Sequence, residues 1–178
     1  MDYIGKIDKE IFVRRAVLAA LAVLTFTFQN TGGLFPAPFD IHAMLLIPLT
    51  VCIAMFEREF AGIFFGLFSG VMLDAFSSQS TVFNSLFFTV IGFVAGSLIT
   101  YLMRNNLLCA TILTSVAAII YTSLLFFVYT DFSLISSPLY VYFRYYLTSA
   151  LYTVILTPVY YFLVRAVTKQ FNERSKDR

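Results

Sequence analysis

Six long apolar stretches dominate this sequence and restrict what it can fold into. Each has 16 to 25 residues with few charges, which is close to the roughly 20 residues that a helix needs to cross about 30 Å of hydrocarbon. Backbone groups in lipid must be hydrogen-bonded within their own segment, so helices are the expected form. We therefore predict an all-α integral membrane protein, a single polytopic domain over residues 1–178. The six predicted transmembrane helices cover residues 11–28, 41–56, 60–76, 85–103, 107–129 and 140–164.

The composition places almost the whole chain in the membrane. Hydrophobic residues make up 60% of the chain and charged residues 12%, whereas about a quarter of the residues of soluble proteins are charged. The residues outside the six stretches suffice only for two tails and five short connections. The net charge is +2, and the basic residues are divided between the tails and two tight loops. We therefore expect no separate soluble domain and no nucleic-acid partner.

The distribution of Lys and Arg predicts the orientation. With the amino terminus in the cytoplasm, 11 of the 12 basic residues fall on the cytoplasmic side, and the outer loops receive none. This bias is the usual one for membrane proteins. An even number of crossings keeps the basic carboxyl-terminal tail inside as well, so both termini are predicted to be cytoplasmic. Four crossings, with the short second and third stretches re-entrant, satisfy the same distribution.

Small residues at four-residue steps mark the third and fourth stretches. Such steps place residues along one ridge of a helix, and small side chains there let two helix backbones approach closely. The resulting groove serves either internal packing of the two stretches or contact with a helix of another protein. The candidate residues for helix packing or partner contact are Gly62, Gly66, Gly70, Asp74, Gly92 and Gly96.

Besides Arg14 and Arg15, which belong to the cytoplasmic end of the first span, two charged residues fall within the predicted spans. An ionised group there is costly and is usually paired or faces water. They are Asp74, near the outer end of the third stretch, and Arg144, near the outer end of the sixth. One hypothesis is an Asp74–Arg144 ion pair in the outer leaflet. In the alternatives, Arg144 extends to the lipid headgroups and Asp74 caps the polar turn at residues 77–80.

The sequence offers no set of residues suited to catalysis. A hydrolase needs a nucleophile with a base, paired carboxylates or metal ligands. The only histidine, His42, has no partner on its helix face, and Cys52 and Cys109 lie in apolar stretches without neighbours at ligand spacing. We expect a non-enzymatic protein with no catalytic residues, no metal, no cofactor and no small-molecule ligand.

The order of features between residues 39 and 96 resembles the rod shape-determining protein MreD family. The turn after Asp74 departs from the pattern, because serines stand where this family often has glycines. The other stretches match by hydrophobicity only. The matching features are Asp40 and Pro48 in the second stretch, the charged cytoplasmic turn Glu57-Arg58-Glu59, the series Gly62, Gly66, Gly70 and Asp74, then Asn84-Ser85-Leu86, and Gly92 with Gly96.

The resemblance implies a multi-pass protein of the bacterial cytoplasmic (inner) membrane. Such a protein is a scaffold of the cell-elongation (rod) complex and helps to maintain cell shape and lateral peptidoglycan synthesis through helix–helix contacts. The implied partners are an MreC-like single-span protein, an MreB-like protein, the transglycosylase and transpeptidase enzymes of wall synthesis, and the lipid bilayer.

A related fold supplies the alternative function. The resemblance also implies a helical bundle similar to the substrate-binding S components of energy-coupling-factor vitamin transporters. Ala16-x-x-x-Ala20 is similar to the small-residue face by which S components dock onto their transmembrane partner, although it is also an ordinary packing surface. In that alternative, Asp74 and Arg144 lie near the mouth of a ligand cavity.

Overall fold

The computed structural model describes residues 2–31, 44–76, 82–129, 140 and 142–176, with side chains except for residues 2–10, 129 and 172–176. All regular secondary structure in these residues is helical, which confirms the predicted all-α class. Asp40, His42 and the polar turn at residues 77–81 lie outside the described residues. The elements are α1 (Asp2–Asn30), α2 (Leu46–Phe76), α3 (Phe83–Tyr101), α4 (Leu107–Tyr129), a π-helical segment (Tyr142–Leu147) and α5 (Thr148–Lys176).

Within the described ranges, five helical stretches are long and apolar enough to cross a membrane. They give the chain the character of a multi-pass membrane protein. The number differs from the six predicted stretches because the second and third form the single element α2. The helix α4 has the bounds predicted for the fifth stretch, whereas α1 and α5 extend into the charged tails. Helical hydrogen bonding therefore continues past the apolar residues on which the predicted limits were based.

The element α2 is divided at Arg58, whose φ of 70° and ψ of −177° are not helical. We call residues 46–57 the first arm and residues 59–76 the second arm. A Cβ atom built on Gly62 would lie 2.9 Å from the Cβ of Ala54, although residues eight apart in a continuous helix are separated by about 12 Å along its axis. The chain therefore reverses direction at Arg58, and the two arms form a tight helical hairpin.

Contacts between helices define two ends of the bundle. At one end, the Asn105 side chain donates to the Met55 carbonyl at 3.1 Å, and the Tyr161 hydroxyl donates to the Asn105 carbonyl at 3.4 Å. At the other end, the Leu46 amide donates to the Gln29 side chain at 3.2 Å. We call the first of these the basic end, because Arg14, Arg15, Arg58, Arg104 and Arg165 all lie there.

The first arm is the centre of the bundle. Its residues are buried without interruption from Leu46 to Met55, as expected for a helix that is apolar on every side. The whole element α2 packs against α1, α4 and α5, whereas α3 packs almost wholly against α2. Cys52 is fully buried in this arm with a free thiol. The second arm and α3 thus form a layer on one side of the bundle.

Candidate functional site

Glycines bring the second arm and α3 into direct backbone contact. A Cβ atom on Gly62 would overlap the carbonyl oxygen of Gly92, and a Cβ atom on Gly92 would overlap that of Gly62. One turn further along, a Cβ atom on Gly66 would overlap the Phe88 carbonyl. Such distances are shorter than real Cβ contacts, so any other residue at these positions would push the helices apart.

The same interface extends to both ends of α3. A Cβ atom on Gly70 would meet the backbone of Ser85, and one on Gly96 would lie 2.6 Å from the Cα of Glu59. The glycine face of each helix is therefore occupied by the other helix. Of the two roles that the sequence left open for these glycines, the structure shows internal packing, and this face has no room for a helix of another protein.

Asp74 closes the interface by capping α3. Its carboxylate accepts hydrogen bonds from the Ser85 amide at 2.8 Å and the Asn84 amide at 3.2 Å, and from the Ser85 hydroxyl. These amides belong to the first turn of α3, where backbone donors have no helical partner. The positive end of the helix dipole further favours the carboxylate. Val82, the residue before α3, makes no side-chain hydrogen bond that caps the helix. Asp74 therefore provides the cap from a different helix.

A second contact fixes the same end of α3 to α4. The buried Tyr121 hydroxyl donates to the side-chain oxygen of Asn84 at 2.7 Å, and its ring lies 5.0 Å from that of Phe87. Asn84 thus joins α4 to the turn that Asp74 caps. The Asn84-Ser85 pair singled out in the sequence is therefore a junction of three helical segments.

The described contacts of Arg144 are with Tyr140 and not with Asp74. Its guanidinium donates to the Tyr140 hydroxyl at 2.9 Å and lies 5.7 Å from the centre of that ring. The predicted Asp74–Arg144 pair is not found between these two described residues, whereas Glu57 pairs with Arg14 and Arg15. The physical reason is that the carboxylate already has three donors at the start of α3.

The charged turn between the two arms contains a buried ion pair that sequence reasoning missed. The Arg14 guanidinium places Nε 2.6 Å from Glu57 Oε1, and its Nη2 donates to Oε2 at 2.9 Å. The Glu57 side chain is only 1% exposed, and a buried carboxylate requires such a partner. Arg15 approaches the same carboxylate at 3.8 Å but is 55% exposed. The predicted topology places Arg14 and Glu57 on the same, cytoplasmic side of the membrane, and this is the signal from which the pair could have been predicted.

The other two residues of the turn differ in their surroundings. Arg58 is exposed and has the only positive φ among the described non-glycine residues. Glu59 begins the second arm with its backbone beside Gly96 of α3, and one oxygen of its carboxylate is buried. The turn therefore presents one arginine outward, while its two carboxylates face the bundle.

The described residues contain no group of three or more His, Cys, Asp or Glu side chains that could hold a metal ion. A comparison of the chain with protein-family models, with curated proteins and with solved structures finds no match. The functional interpretation therefore depends on the geometry of the chain itself.

Proposed function

We propose that this protein is a non-enzymatic scaffold of the bacterial cell-elongation complex, located in the cytoplasmic membrane and similar to MreD proteins. The observation that carries the proposal is that those motifs of the resemblance that lie between residues 57 and 96 meet in one structural unit. The glycines of the second arm contact the backbone of α3, and Asp74 caps the first turn of α3 at Asn84-Ser85. At the other end of the interface, Gly96 of α3 lies against the turn at residues 57–59. A set of motifs spread over 40 residues that folds into one unit is expected if they were selected together.

The proposal includes six membrane crossings, with each arm of α2 as one of them, in a bundle like that of S components. The arginines of the basic end then face the cytoplasm together with both termini, in agreement with the positive-inside rule. Asp74 and Arg144 lie toward the outer face. Under this orientation, the Arg58 turn is a cytoplasmic loop.

Partner helices in this proposal contact the apolar surface that the bundle leaves exposed, because the glycine faces are occupied. On the second arm this surface repeats with steps of four, three and four residues, the spacing of a helix-pairing seam. A single transmembrane helix, such as that of an MreC-like protein, fits a seam of this kind. The exposed residues are Phe60, Phe64, Leu67 and Val71.

Affinity purification from native membranes tests the proposal. We expect the tagged protein to recover a single-span protein with a periplasmic coiled coil. We also expect rod-shaped cells to become round when the protein is depleted. The recovery of an ATPase module, together with thermal stabilisation by a vitamin, would instead identify a transporter S component and overturn the scaffold role.

Two variants, one on the second arm and one on α4, connect the outcome to the structure. Leu67→Ala shortens an exposed side chain on the proposed partner surface and should lower partner recovery without loss of folded protein. Thr111→Ala, on α4, removes a hydroxyl that bonds only the Leu107 carbonyl of its own helix among the described contacts. It serves as a control that should leave recovery unchanged.

A further inference from the structure

Four exposed arginines lie at the basic end, on segments that contact one another. Arg104 directly precedes Asn105, which is hydrogen-bonded to Met55 and Tyr161. Arg58 follows Met55 by three residues, and Arg165 follows Tyr161 by one helical turn. Arg15 joins them through its contact with Glu57. Segments that are distant in sequence thus place these arginines at the same end of the bundle.

Carboxylates at this end leave much of that charge uncompensated. Glu57 is buried and is held by two nitrogens of the Arg14 guanidinium. Glu59, the other carboxylate of the turn, has a buried oxygen and no ion pair with a described arginine. Within the part of the chain that the structure describes, Arg58, Arg104 and Arg165 have no carboxylate at ion-pair distance. Arginine forks bind phosphate groups in two-point geometry, so this surface is suited to an anion that carries phosphate.

The backbone of Arg58 gives a separate indication that its side chain is needed. Its φ of 70° with ψ of −177° lies in a region that is normally restricted to glycine and is strained for any other residue. Glycine would form this turn at lower energy. Strained positions of this kind cluster at binding sites, where the side chain has a use that outweighs the strain.

Apolar side chains beside the arginines identify the source of the phosphate. Leu102 is 76% exposed and lies two residues before Arg104. Phe162, three residues before Arg165, is also exposed. A soluble anion would leave these side chains uncovered, whereas a phospholipid covers them with acyl chains while its phosphate reaches the arginines.

The geometry points to a binding site for an anionic phospholipid at the basic end, formed by Arg58, Arg104 and Arg165. The phosphate of the headgroup binds the guanidinium groups, and the acyl chains lie against Leu102 and Phe162, beside the second-arm surface assigned to a partner helix. The inference requires only helices of membrane length and does not rest on the scaffold role, so each can fail without the other.

Native mass spectrometry of the full chain in detergent tests the site. The probes are phosphatidylglycerol and phosphatidylcholine with the same acyl chains. We expect the wild-type protein to bind phosphatidylglycerol more tightly, and Arg104→Gln and Arg165→Gln each to weaken that binding about fivefold. Arg144→Gln removes a cation from the opposite end and should leave it unchanged. Equal affinity of the wild-type protein for the two lipids would overturn the inference. So would a loss of phosphatidylglycerol binding in Arg144→Gln as large as that in Arg104→Gln and Arg165→Gln.

Two further measurements separate lipid binding from folding and from binding of free phosphate. Arg58→Gly removes the guanidinium and the backbone strain together, so it should weaken phosphatidylglycerol binding while its unfolding midpoint stays the same or rises. An excess of inorganic phosphate should not displace the lipid from the wild-type protein. Displacement would show that the site takes a soluble anion and would contradict the assignment to lipid.

Discussion

At the scale of single residues, the buried pair between Arg14 and Glu57 joins α1 to the turn of α2. Removal of one member of a buried pair leaves the other charge without a partner, at a cost of about 3–5 kcal/mol. We expect Glu57→Gln and Arg14→Gln each to lower the free energy of unfolding by an amount in this range. Because the two side chains lose the same interaction, the double variant should lose less than the sum of the two.

Arg15→Gln is the matched control for the comparison of the Arg14 and Glu57 single variants with the double variant. Its side chain is 55% exposed and lies 3.8 Å from the same carboxylate, so its loss should cost no more than about 1 kcal/mol. Circular dichroism during unfolding by a denaturing detergent is a suitable measurement, because the chain has no tryptophan. Equal losses in Arg14→Gln and Arg15→Gln would contradict the assignment of the pair.

The acidic cap is a second prediction at this scale. Asp74→Asn weakens the charge-assisted bonds to the first turn of α3 and should destabilise the protein by about 1–2 kcal/mol. Arg144→Gln loses its contact with Tyr140 instead. Because the two residues share no described partner, their effects on unfolding should add within about 0.5 kcal/mol. A clear positive coupling in the double variant would instead support the ion pair predicted from the sequence.

At the scale of elements, the second arm and α3 depend on glycine for their close approach. Gly66→Leu places a side chain where the Phe88 carbonyl already lies. Since neither backbone can yield easily, we expect a loss of about 3 kcal/mol, at the upper end of the range for overpacked cores. Leu67→Ala changes the adjacent exposed residue and should alter stability by only about 0.5 kcal/mol. Thermal unfolding of the two variants in detergent compares them, and equal losses would show that the glycine face is not the packing surface.

At the scale of the whole molecule, the proposed six crossings differ from the re-entrant alternative in where the Arg58 turn lies. With Cys52 and Cys109 replaced by alanine, Arg58→Cys should react with a membrane-impermeant maleimide from the cytoplasmic side only. A re-entrant hairpin would bury the turn within the bilayer and prevent the reaction. A cysteine introduced at Arg104 serves as the positive control, because both topologies expose it to the cytoplasm.

The close packing at Gly62, Gly66 and Gly70 illustrates how far sequence reasoning reached. The four-residue steps predicted a groove on the third stretch, because helix geometry alone sets which residues share a ridge. Which helix fills the groove depends on which helix the rest of the bundle places beside the second arm. That choice is a property of the tertiary fold, and α3 is the helix that occupies the groove.

The sequence by itself determined that this chain is helical and of membrane character, because lipid requires each apolar segment to satisfy its own backbone hydrogen bonds. That requirement is local, so it can be read from segment length and hydrophobicity. Only the tertiary structure decided the partners of the sparse charges. Glu57 binds Arg14, 43 residues away, and Asp74 caps α3 rather than meeting Arg144. Ion pairs and caps depend on which helix ends lie side by side, and packing of the whole bundle sets that arrangement.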